Sequence, residues 1–430
     1  MINKFIKVCN DNRDKTAFVC GKRRISFSQL LTDVLKTVAL FEERGVVRGE
    51  RVLLFVLPSY EFYVLLFACI YYGVNVVVMD SYRDLGRVKR VMADNKIRRV
   101  FCTSLTRIAG LALGSDVEMI NISGYRRVSA SSSPASTDGK RVVLTTFTSG
   151  TTGTPKPIDR SIDDLAGQID VVSKNIKIDE GDVVFASLPI YVLFVVYSGL
   201  TCVISKRISK KQLEREGVNA VLAPIAKLLL LKEGMPFVKK LFLGGAMLYE
   251  REVRFLRRIF PNAEQTYVYG ASECVLMARG ELADYLEHGF ALKYRIDGVS
   301  LSVADPDSNG VGRIVAEGDV VLTEDRRFIG NDIGYFDEYG LHIVGRSRYS
   351  SAEHYNYVED NRLLSENPSV KKGFSFVYGE KIYFCYEGKM SKTYDGIICV
   401  RFRRLPMDPK HRTKLDYVKV IEKYLPLASS

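Results

Sequence analysis

Residues 60–80 read YEFYVLLFACIYYGVNVVVMD. A run this apolar is either a membrane span or two buried elements in succession. Gly73 and Asn75 interrupt it, so the reading is a buried helix from about Glu61 to Tyr72, a turn at Gly73, and a buried strand from Val74 to Met79. No membrane span is expected. A helix followed by a continuously apolar strand is the texture of an α/β protein whose parallel sheet is covered on both faces.

The same rhythm recurs along the first part of the chain. In FSQLLTDVLKTVALFEERG, the residues Leu30, Leu31, Val34, Leu35, Val38 and Phe41 mark one face of a helix, and Gly45 is placed to end it. RVLLFVLP reads as a strand, Asp84 to Asn95 as a helix, and RRVFCTS as the next strand. Residues 129–140, SASSSPASTDGK, form a low-complexity loop, and the strand RVVLTTF follows. DVVFASLPI, AVLAP and KKLFLGG read as further strands, SLPIYVLFVVYSGL as a strand as well, and IAKLLLLKEG as a helix. Residues 262–345 are richer in turns and short strands, and beyond Gly345 the alternation weakens.

The expected fold class is α/β. A large N-terminal domain, residues 1–345, holds doubly wound mixed sheets with a small β-rich subdomain. A small mobile α+β C-terminal domain, residues 346–430, follows it.

With 430 residues, 47% of them hydrophobic and 26% charged, the chain can build a large core and at least one further domain. The formal net charge of +12 fits phosphorylated ligands or an acidic partner. Nucleic acid is not expected, because there is no dense Lys/Arg tract. The cysteines Cys9, Cys20, Cys69, Cys102, Cys202, Cys274, Cys385 and Cys399 are scattered and form no C-x-x-C pair. Lys4 and Lys7 are followed by VCNDNRDK, which is no signal-peptide core, so reduced thiols and a cytoplasmic protein are expected. The histidines His288, His342, His354 and His411 show no zinc-ligand spacing.

The chemistry gathers in TTFTSGTTGTPKP, residues 145–157. It follows a strand, where open α/β folds bind ligands. Gly150 and Gly153 let the backbone turn and present N–H groups. Thr148, Ser149, Thr151 and Thr152 add hydroxyl donors, and Lys156 adds a positive charge. Together they make a cradle for a polyphosphate, although the spacing is not G-x-x-x-x-G-K-[ST]. A flexible surface loop is the plain alternative.

Three further strings follow in order: LFLGGAML at 241–248, VYGASECV at 268–275 and GNDIGYFDEYGLHIVGRSR at 330–348. With the phosphate loop, they resemble the adenylate-forming enzyme superfamily of acyl-CoA synthetases, peptide-synthetase adenylation domains and luciferases. YGASE matches that family's Y-G-x-[ST]-E element, and RLPMDPKHRTKLDY is similar to its terminal lysine motif.

The resemblance implies ATP and Mg²⁺ as cofactors. Thr148 to Lys156 would grip the β- and γ-phosphates. Gly244, Gly245 and Ala246 would let adenine approach the backbone, with Tyr269, followed by Gly270, stacked on the ring. Ser272 would hydrogen-bond the reacting carboxylate or α-phosphate, and Glu273 would hold the metal. Asp332 would accept from the ribose hydroxyls and Arg346 would support the ribose. Lys414 would neutralise charge building up during in-line attack, and the small domain would rotate about a hinge at Arg348. Each residue alone has a plainer reading as a turn, a solvated carboxylate or part of a basic surface. Ser272 nearly completes G-x-S-x-G, but Cys274 replaces the last glycine, which disfavours a serine hydrolase.

The departures are specific. The chain is shorter than typical members. The usual Thr-Gly-Asp is Gly330-Asn331-Asp332, Arg348 stands at the hinge, and YSSAEHYNYVED replaces a glycine-bearing segment. No aspartate occurs between Ser187 and Cys202, where amino-acid-activating members usually carry one. A buried ammonium without a partner would be costly, so the expected substrate is a carboxylic acid without an α-amino group, with an apolar or aromatic body. Tyr191, Phe194 and Tyr197 either line its pocket or pack in the core. The acceptor is the thiol of coenzyme A or of a carrier protein's phosphopantetheine arm, and an acidic acyl carrier protein would be drawn by the positive charge. Two other readings stay open: a catalytically lapsed nucleotide-binding or regulatory homologue, and a ligase that closes a β-lactone without a thiol.

Overall fold

The computed structural model describes residues 1–430 except Asp80, Ser81, Arg83, Ser115, 148–155, Phe290, Ser350, Ser351, Gly379, Glu380, 407–418 and 421–430. At Ala109, Arg348, Tyr349 and 352–355 it describes the backbone alone. The chain divides into two compact units, Met1–Leu222 and Ala223–Ser430.

In the first unit the apolar run becomes the helix Tyr60–Tyr72 and the strand Asn75–Val77. Ser59 caps the helix by accepting from the Phe62 N–H at 3.4 Å. Gly73 ends it at φ +90°, a backbone conformation that favours glycine, and a Cβ there would lie 2.6 Å from Arg141 Cδ. Only Glu61 and Tyr72 of this helix escape full burial. One side meets Phe18, stacked on Tyr63 at 5.7 Å, and Phe5, stacked on Phe67 at 4.7 Å. Another side packs on the strands Asn75–Val77 and Val142–Phe147. The helix is apolar all round because it lies between two sheets.

The first of these sheets has the strand order Glu118–Asn121, Arg99–Cys102, Arg51–Phe55, Asn75–Val77, Val142–Phe147, Pro157–Ser161. All neighbours are parallel except the last pair, in which Phe147 stands opposite Pro157. In the second, the antiparallel pair Arg23–Ser26 and Thr16–Cys20 is followed by parallel strands Thr201–Ile204, Val183–Ala186 and Ala220–Pro224. The helix Phe27–Glu43 begins at Ser26, whose Oγ accepts from the Gln29 N–H, and buries the predicted residues Leu30, Val34, Val38 and Phe41.

One expectation is corrected here. Residues 187–200 are not a strand: Pro189–Tyr197 is a helix, with Pro189 in its first turn where a missing N–H costs nothing. Its seven residues Tyr191 to Tyr197 are all buried, and a wholly buried apolar run has no period that separates helix from strand. The helix expected from Ile225 onward is also shorter, ending at Leu228.

In the second unit, Lys240–Gly244 runs parallel to Glu264–Tyr269, which pairs antiparallel with Ala278–Glu281, and that with Tyr294–Arg295. A larger sheet has the order Ser300–Ala304, Gly312–Glu317, Arg327–Asp337, Gly340–Tyr349, Ala352–Asn356, Val370–Tyr378, Lys381–Gly388, Ile397–Phe402. It is antiparallel up to the last pair, which is parallel. Helix Tyr357–Glu366 packs on it around Leu363, Leu364, Val370 and Phe384. The α/β fold with a β-rich part is thus observed. Among the described residues, no helix is long and apolar enough to cross a membrane.

Candidate active site

The strands Lys240–Gly244 and Glu264–Tyr269 are in register, with Gly244 opposite Val268, so their carboxyl ends finish together. Gly244 permits the close approach: a Cβ there would lie 2.3 Å from the Val268 carbonyl oxygen. Gly245 then turns at φ +84° and is exposed. The backbone that follows is held by two tyrosines. Tyr267 donates to the Ala246 carbonyl at 3.1 Å and Tyr285 to the Leu248 carbonyl at 3.0 Å, their rings 5.5 Å apart. Burial raises both phenols far above their usual range, so both remain protonated donors.

Tyr269 closes its strand beside this loop. Its hydroxyl donates to Asp332 Oδ2 at 3.0 Å, and the Arg346 guanidinium lies 3.4 Å from Asp332 Oδ1. Asp332 and Arg346 face each other across the antiparallel strands Arg327–Asp337 and Gly340–Tyr349. Burial first, and the Asp332 charge second, raise the Tyr269 phenol well above its usual range. Tyr269 is therefore a fixed donor that orients the carboxylate. Each carboxylate oxygen has acceptor capacity left over. The Asp332 side chain keeps 22% exposure and Arg346 keeps 31%, so the pair opens to solvent and can meet a ligand.

The turn after Tyr269 folds back on itself. Ala271 N–H donates to the Cys274 carbonyl at 2.8 Å and Met277 N–H to the Tyr269 carbonyl at 2.8 Å. A Cβ on Gly270 would lie 2.3 Å from the Val275 carbonyl oxygen, so the turn requires glycine. Ser272 stands exposed at its tip and Glu273 half-buried. The Glu273 carbonyl accepts from the Leu322 N–H at 2.8 Å, which fastens the turn to the segment leading into the strand Arg327–Asp337. Burial pushes the Cys274 thiol up to about 12, leaving it an inert core group.

The structure thus brings together Gly244, Gly245, Ala246, Tyr269, Gly270, Asp332 and Arg346. Lys156 is exposed at the head of the strand Pro157–Ser161. Thr148, Ser149, Gly150, Thr151, Thr152, Gly153 and Lys414 lie outside the described residues, as does the Arg348 side chain. Tyr191, Phe194 and Tyr197 are buried on the helix Pro189–Tyr197, and the Tyr197 ring packs against Phe5 at 5.9 Å and Phe67 at 6.0 Å, which is core packing. Tyr267 and Tyr285 were not singled out from the sequence. Tyr267 carried a signal, since it precedes Tyr269 by two residues on the same face of one strand; Tyr285 carried none.

These residues fit a nucleotide. A carboxylate with spare lone pairs, held by a phenol and a guanidinium, suits a pair of ribose hydroxyls, and bare glycine backbone suits a flat base. Among the described residues, no three or more His, Cys, Asp or Glu side chains gather as a metal cage. Mg²⁺ is compatible with that, because it is usually held by one or two carboxylates, substrate phosphates and water.

Two olefin β-lactone synthetases are similar in sequence. That of Stenotrophomonas maltophilia is 27% identical over 54% of this chain and 48% of its own length. That of Xanthomonas campestris is 26% identical over 63% of this chain and 56% of its own length. The chain spans about half the length of these curated relatives. Among solved structures, the AMP complex of O-succinylbenzoate coenzyme A synthetase from Bacillus subtilis superposes with a TM-score of 0.82 at 16% identity, covering 96% of each chain. ATP-bound MatB from Rhodopseudomonas palustris superposes with a TM-score of 0.83 at 17% identity, covering 99% of each chain. These likenesses establish the fold. The family model described as AMP-binding enzyme matches residues 5–324, and the chain belongs to that family.

Proposed function

We propose that the protein is an ATP- and Mg²⁺-dependent ligase that activates a carboxylic acid as its acyl-adenylate. The observation that carries this reading is the Tyr269–Asp332–Arg346 cluster beside the Gly244–Ala246 loop, in a chain of the AMP-binding family. Asp332 and Arg346 hold the ribose, and the loop takes adenine, with Tyr269 as its stacking partner. Residues 148–153 and Lys156 hold the β- and γ-phosphates. Ser272 orients the carboxylate. Glu273 would hold Mg²⁺, which when bound would offset phosphate charge. A carboxylate oxygen attacks the α-phosphorus, the bond to pyrophosphate breaks, and pyrophosphate leaves. Lys414, on a lid formed by residues 346–430 that rotates about Arg348, neutralises charge at the attacked phosphorus.

The acid lacks an α-amino group and has an apolar or aromatic body, because no aspartate is available between Ser187 and Cys202. In the second step a thiol of coenzyme A or of a carrier protein's phosphopantetheine attacks the acyl carbon, losing its proton, and AMP leaves. The likeness to the olefin β-lactone synthetases supports a second reading of that step. There the acid's own β-hydroxyl attacks the acyl carbon and closes the ring.

The test is carboxylate-dependent ATP–pyrophosphate exchange over fatty, aryl, hydroxy and amino acids. Exchange with a non-amino acid is expected. AMP release with a β-hydroxy acid in the absence of any thiol would select the ring-closing reading. Silence across the panel with ATP still bound would reject adenylation in favour of a lapsed nucleotide-binding protein.

A further inference from the structure

The strands Val142–Phe147 and Pro157–Ser161 flank the segment assigned to the β- and γ-phosphates. Phe147 stands opposite Pro157, and Lys156 comes directly before the second strand. Arg160, on that strand, is the one buried lysine or arginine among the described residues. It lies opposite Leu144 and so shares a face of the pair with Thr146. Its guanidinium donates to Thr146 Oγ1 at 2.6 Å and, through Nε, to Gln168 Oε1 at 3.2 Å. Gln168 belongs to helix Ile162–Asn175, which starts directly after the strand with Ser161 and Asp164 as its capping box. Three elements therefore meet at one side chain.

Burying a charge is unfavourable, and an apolar side chain would fill this place with less loss of hydration. What an arginine adds is direction, because its planar fork holds more than one acceptor in fixed geometry. The amide of Gln168 is committed to that fork. It turns its oxygen to Arg160 although its own buried Nε2 then has no hydrogen-bond partner among the described residues. On the other face of the strand pair, Thr145 donates to Asp159 Oδ1 at 2.5 Å and Arg51 to Asp159 Oδ2 at 2.9 Å. Arg51 and Asp159 keep 38% and 37% exposure, so water can replace that ion pair. Water does not replace the bond from the buried Arg160 to Thr146, one residue from the end of its strand.

We propose that Arg160 is a positioning residue for the triphosphate: it fixes the two strand ends from which the phosphate-binding residues project, so that the preference for ATP over AMP depends on it. The proposal rests on the assignment of residues 148–153 and Lys156 to the β- and γ-phosphates. AMP lacks those two phosphates. A fault in the strand ends therefore falls on ATP and spares AMP, whereas a general loosening of the core weakens both alike.

The test is calorimetric binding of ATP and of AMP, each with Mg²⁺, to wild type, Arg160→Met, Arg160→Lys, Thr146→Val and Lys156→Ala, with folding checked by circular dichroism. Arg160→Met is expected to weaken ATP about tenfold or more and to leave AMP within about twofold. Arg160→Lys keeps the charge but not the fork, and is expected to behave like Arg160→Met; full recovery of ATP affinity in it would overturn positioning in favour of charge alone. Thr146→Val removes only the accepting hydroxyl. It should show the same selective loss at smaller size, and it decides the matter should Arg160→Met fail to fold. Equal weakening of both nucleotides, or of neither, overturns the role of Arg160. Lys156→Ala separates this from the phosphate assignment: a fall in its ATP preference with none in the Arg160 and Thr146 variants rejects Arg160 and keeps the assignment. An unchanged preference in every variant rejects both.

Discussion

Tyr269 does two jobs in this account, and its hydroxyl can be removed without disturbing its ring. Tyr269→Phe leaves Asp332 held, among the described residues, by Arg346. The lost hydrogen bond is worth about 1 kcal/mol, so ATP affinity is expected to weaken roughly three- to tenfold with little loss of melting temperature. Titration calorimetry with ATP checks this, and an unchanged affinity would show that the phenol does not orient the carboxylate. Gly270→Ala acts differently. Its Cβ meets the Val275 carbonyl oxygen, a backbone atom that cannot swing aside. A destabilisation of about 1–3 kcal/mol is expected, read as a lower midpoint in urea; a neutral effect would mean that the turn can open. The residues that touch the nucleotide in this account were legible in the sequence, since Tyr269, Asp332 and Arg346 each sit in a recognisable string. Tyr285 was not, because its role comes through long-range contacts such as its 3.0 Å bond to Leu248, 37 residues away.

Among elements, helix Glu250–Ile259 is tied to helix Tyr357–Glu366 and strand Val370–Tyr378. Tyr249 donates to Asp360 Oδ2 at 2.9 Å, Glu250 N–H donates to Asn361 Oδ1 at 2.8 Å, and Arg251 donates to the Val370 carbonyl at 2.8 Å. The Ser375 N–H donates to Asp360 Oδ1. Burial outweighs these hydrogen bonds and pushes the Asp360 carboxyl from 3.8 up to about 7, with the Glu359 charge adding to the rise. The folded state then keeps a proton between about pH 4 and pH 7 that the unfolded chain has released, so this group's contribution to stability is full below pH 4 and lost as pH rises towards 7. The slope from this one group reaches about 1.4 kcal/mol per pH unit. Asp360→Asn should flatten the dependence of the melting temperature on pH across that window; an unaltered profile would assign the slope elsewhere. Elements with a clear period were readable, such as Phe27–Glu43 with its one apolar face. Pro189–Tyr197 was not, because burial on every side erases the period that separates helix from strand.

For the whole molecule, the α/β class followed from the apolar run 60–80 and the alternation around it, and the likeness to solved structures agrees. The net charge of +12 suits ATP, coenzyme A and an acidic carrier protein alike, so it cannot choose among acceptors. The proposed catalytic lysine gives a sharper prediction. Lys414→Ala is expected to abolish carboxylate-dependent exchange while ATP binding stays within about threefold, since the charge it meets develops only during attack. Unimpaired exchange would remove Lys414 from the mechanism. The decisive measurement is isotopic. An acid that supports exchange is supplied with ¹⁸O in its carboxylate, the full reaction is run, and the products are weighed by mass spectrometry. Attack on the α-phosphorus predicts one ¹⁸O in AMP and none in pyrophosphate. Label in inorganic phosphate, or AMP without label, would contradict an acyl-adenylate and with it the account of this site.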